Sequence, residues 1–226
     1  MAALGAFLLL TWLLAAVPFG LVVATLWGPG VDLRDEGSGN TGATNVLRVA
    51  GWRLGALAMV LDLVKGLVPV LLARLLWPDS TASWWTVVGL TAFAGHCWPV
   101  YLEFRGWKGV ATSGGVVLAT SPWVGLFGLF VWAVVVAVTG RSSVASLSSA
   151  VALVVAAALF HTDILVLVSL LGLGVVINHI SNIRRLVRGE EAAVLAPVRP
   201  GRAVPLTADE ALAQGPGGEG AKADGF

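Results

Sequence analysis

Apolar residues in this chain come in long blocks separated by short polar islands. The first block, Leu4 to Trp27, is long enough to cross a hydrocarbon core of about 30 Å at about 1.5 Å per helical residue. Pro18 inside it predicts a kink, tolerable where neighbouring helices cover the break. A second block, Gly55 to Trp77, holds Asp62 and Lys65, whose i,i+3 spacing puts both charges on one helical face. Trp77-Pro78-Asp79-Ser80-Thr81 reads as a turn, and Trp84 to Leu102 as the return span, with Trp84, Trp85 and Trp98 placed as interfacial anchors. Thr120-Ser121-Pro122 divides the next apolar run. Proline removes a donor and disfavours helix in the residue before it, so a half-helix Ser113 to Thr120 and a fuller helix Pro122 to Thr139 are expected. Ser143 to Ile177 would be about 52 Å as one helix, too long for a single crossing, and His161-Thr162-Asp163 offers the turn that makes it two.

The pattern therefore predicts an all-α integral membrane protein of about seven transmembrane helices, the fourth short or re-entrant. Charge placement supports the count. Bases follow the first span at Arg34, Arg48 and Arg53, which puts the N-terminus outside. With seven crossings, Arg141 and the bases of three polar islands all fall in the cytoplasm, while Asp79 and Asp163 fall outside. With five, Arg141 would be external and one helix implausibly long. No Lys or Arg precedes the first block, so it lacks the basic flank of a signal peptide. Residues 1–191 read as one membrane domain with a cytoplasmic C-terminal end, and 192–226, rich in Ala, Gly and Pro, as a flexible tail.

Composition agrees: 57% apolar, 12% charged and a mean hydropathy of +0.87 mark a membrane protein. One cysteine, Cys97, excludes an internal disulfide, and three separated histidines make no metal cluster by spacing. The bases lie in short islands rather than one broad stripe, which argues against a nucleic-acid partner.

The three islands carry the candidate chemistry. Gly37 to Asn45, GSGNTGATN, offers short polar donors on a flexible backbone, with Asn45 and Arg48 on one face of a helix starting near Thr44. Gly95 to Gly115, GHCWPVYLEFRGWKGVATSGG, combines Arg105 and Lys108 with glycines that let backbone N–H groups approach an anion. The P-loop spacing is absent, since Trp107 precedes Lys108 and Gly109 follows it. Asn178 to Glu191, NHISNIRRLVRGEE, places His179 and Asn182 three apart, followed by Arg184, Arg185 and Arg188. Each island taken alone is also explained as a basic cytoplasmic turn. The Asp62/Lys65 pair has an equally plain reading as a self-satisfied ion pair between helices.

Together, GSGNTGATN, GHCWPVYLEFRGWKGVAT and HISNIRRLVRGEE resemble the three signature segments of the bacterial acyl-phosphate:glycerol-3-phosphate acyltransferases, the PlsY family. The segments VPFGLVVATLWGPGVDLR and LDLVKG are similar too, so the resemblance runs from about Pro18 to Glu191. Thr41 stands where proline is usual, Trp107 replaces the first glycine of a G-G-K-G segment, and Trp98 takes a phenylalanine position. The resemblance implies transfer of a fatty acyl group from acyl phosphate to the sn-1 hydroxyl of glycerol 3-phosphate, giving lysophosphatidate and phosphate for phospholipid synthesis. It implies substrate binding by Ser38, Asn40, Asn45, Arg48, His96, Lys108, Thr112, His179 and Asn182, with Lys108, His179 and Asn182 in the catalytic group and no metal or cofactor. It also implies a bacterial inner-membrane location, a cytoplasmic active site, contact with membrane lipid, and the soluble acyl-phosphate-producing enzyme as a partner.

The chemistry suits the residues. Two anionic substrates need cationic and N–H donors, and an activated donor needs no covalent nucleophile. No G-x-S-x-G elbow occurs, and neither His96 nor His161 has an aspartate five positions on. A small transporter for an organic phosphate would share the broken helix, the intramembrane charges and the bases. Against it, no two-fold internal repeat is visible, and the islands collect at one face rather than at the midplane.

Overall fold

The computed structural model describes residues 2–30, 32–79 and 81–196, and every statement below concerns these. They form α-helices and two 3-10 turns, with no strand. The first block is α1 (Ala2–Ala15) and α2 (Phe19–Trp27), bent by 43° where Pro18 interrupts the ladder. An amphipathic helix, α3 (Ala43–Ala50), carries the first island into α4 (Trp52–Leu76). Then follow α5 (Ala82–Cys97), α6 (Val110–Thr120), α7 (Pro122–Thr139), α8 (Ser142–Phe160), α9 (Leu165–Ile177) and a second amphipathic helix, α10 (Ile180–Val187).

The expected break at Ser121-Pro122 is where α6 gives way to α7, and the expected turn at His161 is a 3-10 turn, Thr162–Ile164. The half-helix begins three residues earlier than expected, at Val110, directly after Gly109. Helices α4, α7 and α8 are each long and apolar enough to cross a membrane, and counting each bent pair as one span makes five. At 16 and 11 residues, α5 and α6 are shorter than a full span. Large apolar side chains such as Leu75, Trp123, Val138 and Phe160 are exposed around the bundle. That is the wrong surface for water and the right one for lipid tails.

Helix α4 is the axis of the bundle and packs most extensively on α6. Small residues make this possible: a Cβ on Gly66 would overlap the Thr112 carbonyl oxygen. The C-terminal carbonyls of a helix ending inside an apolar layer need donors. For α6 one is Arg74, whose Nη1 donates to Ala119 O at 2.7 Å. The largest buried cluster joins α1, α4, α5, α6, α7, α8 and α9 through residues such as Val70, Val88, Phe93, Val116, Val124 and Leu167.

Beyond α10 the chain does not leave the bundle at residue 192. Val194 N donates to Gly140 O at 2.7 Å, and Arg48 Nε and Nη2 donate to the carbonyls of Val194 (3.2 Å), Ala192 (3.3 Å) and Ala193 (2.8 Å). Residues 192–196 thus form a strap across the α7–α8 turn. The rest of the expected tail, 197–226, lies outside the described residues.

Candidate active site

The first island is built around Asn45. Its Nδ2 donates to the carbonyls of Leu33 (3.2 Å) and Glu36 (3.0 Å), and its Oδ1 accepts from Ser38 N at 3.0 Å. Both amide hydrogens are therefore committed to backbone, and the residue is buried. Asn45 shapes the loop that presents Ser38, whose side chain is exposed. Asn40 Oδ1 accepts from Gly42 N at 2.7 Å, an Asx-turn leading into α3. Because α3 has only eight residues, Arg48 sits in its last turn rather than one turn in from its start. There its charge complements the helix dipole and reaches the strap carbonyls. Burial lowers the Arg48 pKa from the usual guanidinium value, with Glu191 acting to raise it and Arg185 to lower it further. It remains a cation.

In the second island, Lys108 and Gly109 immediately precede α6, which puts Lys108 next in the chain to a helix N-terminus where unpaired N–H groups and the dipole favour anions. Thr112 is fully buried, and its Oγ1 donates to Asp62 O at 3.0 Å. His96, at the end of α5, is buried with its Nδ1 3.9 Å from Asp62 Oδ1. Thr112 and His96 thus meet α4 beneath the loop.

The third island is where the others meet. Asn178 Nδ2 donates to Cys97 Sγ at 3.2 Å and to Trp107 O at 3.5 Å, tying the second island to the third. The Lys108 charge acts on the His179 ring. His179 is buried, and its Nδ1 lies 2.8 Å from Val175 O. A carbonyl only accepts, so Nδ1 carries the proton and a neutral ring keeps its lone pair on Nε2.

Glu191 was not singled out by sequence, yet it organises this corner. Its Oε1 accepts from Asn182 Nδ2 at 2.6 Å and its Oε2 from Arg185 Nε at 2.8 Å, while its backbone carbonyl accepts from Arg141 Nε at 3.2 Å. Burial pushes the Glu191 carboxyl up, but the hydrogen bonds from Arg185 and Asn182 outweigh it and hold the group below its ordinary value. Ser143, buried at the start of α8, is close enough to help hold that charge. The carboxylate also settles the Asn182 amide: the nitrogen faces Glu191, so Oδ1 turns the other way. That oxygen is buried and has no hydrogen-bond partner among the described residues.

The three islands are joined through Arg48, Asn178 and Lys108–His179. The sequence model of the family described as Glycerol-3-phosphate acyltransferase matches residues 5–189. The chain belongs to the glycerol-3-phosphate acyltransferase family. A relative of that name from Anaeromyxobacter dehalogenans (strain 2CP-C) is 44% identical over 189 residues, covering 81% of this chain and 93% of its own. Another, from Solidesulfovibrio magneticus, is 48% identical over 187 residues, covering 82% and 92%. The crystal structure of PlsY (YgiH), described as an integral membrane glycerol 3-phosphate acyltransferase, superposes in its glycerol 3-phosphate form with a TM-score of 0.78. It has 36% identity and covers 84% of this chain and 95% of that one. Its lysophosphatidic acid form gives 0.77 at 35% identity, with the same coverage.

The PlsY resemblance read from the motifs and the all-α membrane fold are therefore correct. This acyltransferase gathers Arg48, Lys108, His179 and Asn182 around one corner, while Asn45, Thr112 and His96 are engaged with backbone or with α4. The omission of Glu191 and Ser143 has a physical cause. Glu190 and Glu191 are adjacent acids at the end of a basic helix, and only the chain reversal at Gly189 decides which one turns inward.

Proposed function

We propose that this family member transfers a fatty acyl group from acyl phosphate to the sn-1 hydroxyl of glycerol 3-phosphate, releasing lysophosphatidate and inorganic phosphate. The observation that carries the reading is the buried, unpartnered Asn182 Oδ1, fixed by Glu191 as an acceptor three positions after His179. A hydroxyl is the donor such an oxygen wants, and an unfilled buried acceptor costs about 1–3 kcal/mol.

Lys108 and the first N–H groups of α6 offset the charge of the phosphates and stabilise the one that departs. Arg48 adds a second cation that also holds the strap. The glycerol hydroxyl, oriented by Asn182, attacks the acyl carbon. The carbon–oxygen bond to phosphate breaks, and the hydroxyl proton passes either to His179 Nε2 or to a phosphate oxygen of the donor. Because Val175 O, not a carboxylate, holds the His179 ring, the imidazole lacks the partner that would strengthen it as a base. His179 therefore acts chiefly in binding the acceptor. The acyl chain lies among the apolar helices with its phosphate at the cytoplasmic face of a bacterial inner membrane. The protein crosses that membrane seven times from an external N-terminus and takes its donor from the soluble acyl-phosphate-producing enzyme.

The test is incubation of purified protein with palmitoyl phosphate and glycerol 3-phosphate, following phosphate and lysophosphatidate. One lysophosphatidate per phosphate is expected. Turnover with an acyl thioester but not with acyl phosphate would overturn the donor assignment.

A further inference from the structure

Asp62 and Lys65 lie midway along α4, both buried, and the transfer described above uses neither. Lys65 Nζ stands 2.8 Å from Asp62 Oδ1 and donates to Val17 O at 2.9 Å. It also sits 5.6 Å from the centre of the Phe19 ring. Val17 is at the Pro18 break, where the end of α1 leaves carbonyls without helical donors and hydrocarbon offers no water to replace them. The ammonium thus binds the break to α4. Next to it, the Asp62 carbonyl accepts from Thr112 Oγ1 in the first turn of α6.

Each end of this link supports one polar island. The first island rests on α2: a Cβ on Gly20 would overlap the Thr41 carbonyl oxygen. The second island runs directly into α6, with Lys108 two residues before its start. The pair therefore stands between the supports of the loop presenting Ser38 and of the loop presenting Lys108.

We propose that Lys65 is a positioning residue for the glycerol 3-phosphate site, setting the separation of these two loops by clamping the α1–α2 break to α4. It touches no substrate, and Asp62 neutralises it in place. The inference rests on the acceptor site proposed above. A buried ion pair that only held helices together would show in stability and leave substrate affinity alone.

The deciding variant is full-length Asp62→Asn/Lys65→Met, since exchanging a whole buried pair for neutral groups often preserves the fold whereas removing one partner strands a charge. The clamp predicts an unfolding midpoint near that of the wild type, a KM for glycerol 3-phosphate raised about tenfold or more, and kcat within about threefold. Lys65→Arg, which keeps a cationic donor for Val17 O, recovers part of that KM. A lowered midpoint with an unchanged KM overturns the proposal. If the double variant does not fold, Lys65→Arg decides alone: a raised KM at an unchanged midpoint supports the clamp, and a wild-type KM sinks it. Wild-type protein that turns over no acyl donor would instead refute the proposed reaction. The clamp would then be read from calorimetric glycerol 3-phosphate binding to the same variants, with unchanged affinity overturning it.

Discussion

Replacing Glu191 with glutamine keeps its shape and removes its charge, which makes it the sharpest probe of the corner where the islands meet. The carboxylate accepts two short hydrogen bonds, from Asn182 Nδ2 at 2.6 Å and Arg185 Nε at 2.8 Å, on a side chain only 8% exposed. Glutamine offers one accepting oxygen, and its NH2 would face a second donor. One charge-assisted bond is lost, at about 1.5–3 kcal/mol, and the Asn182 amide is free to turn. If that bond orients Asn182 Oδ1 for the acceptor, the loss appears as about a 10- to 150-fold fall in kcat/KM. The pH profile supplies an independent check. Because the folded Glu191 pKa is depressed, its stabilising contribution is present above the ordinary value of 4.5 and disappears as pH falls through the lower folded value. Wild-type protein should lose stability in that acidic window by an increment that Glu191→Gln lacks. The assay is acyl transfer near neutral pH together with unfolding midpoints in detergent from about pH 3 to 6. A Glu191→Gln protein within twofold of wild-type kcat/KM would refute the orienting role.

Lys108→Ala should lower kcat/KM by about 10- to 150-fold through loss of a charge-assisted phosphate contact. Lys108→Arg should recover only part of it, because a planar fork does not replace a compact ammonium at a helix start; near-normal kinetics in the alanine variant would contradict the anion site. His179→Ala should saturate near wild-type turnover with a raised KM for glycerol 3-phosphate. A fall in kcat of roughly 10²–10⁴-fold with loss of the acidic limb would instead make it the general base. Single cysteines on a Cys97→Ser background, treated with an impermeant thiol reagent on intact cells, should label at positions 80 and 162 and stay protected at 38, 108, 141 and 182. Labelling at 108 would break the common-face topology.

Much of this protein was legible along the chain because membrane helices are specified locally. Block length against bilayer thickness, proline at 18 and 122, and a polar turn at 161–163 need no partner to be read. The α6–α7 break and the two helices of the 143–177 tract follow from them directly. The motif residues were legible as a set through their resemblance to a family. Their individual roles were not, because a polar side chain's use depends on what the fold brings to it. Asn45 looks like a ligand in sequence and is consumed by its own loop. Thr112 and His96 belong to a motif segment but meet Asp62, fifty and thirty-four positions away in the chain. The orientation of Asn182, the inward turn of Glu191, the strap held by Arg48, and the grip of Lys65 on Val17 are all long-range events. Sequence by itself determined where the helices run and which residue types gather between them, since hydrophobic length and proline act within a few residues. Tertiary structure alone decided which of those groups bond to backbone and which, like Asn182 Oδ1, meet no partner among the described residues, because a buried hydrogen bond is made or missed only when distant segments have packed.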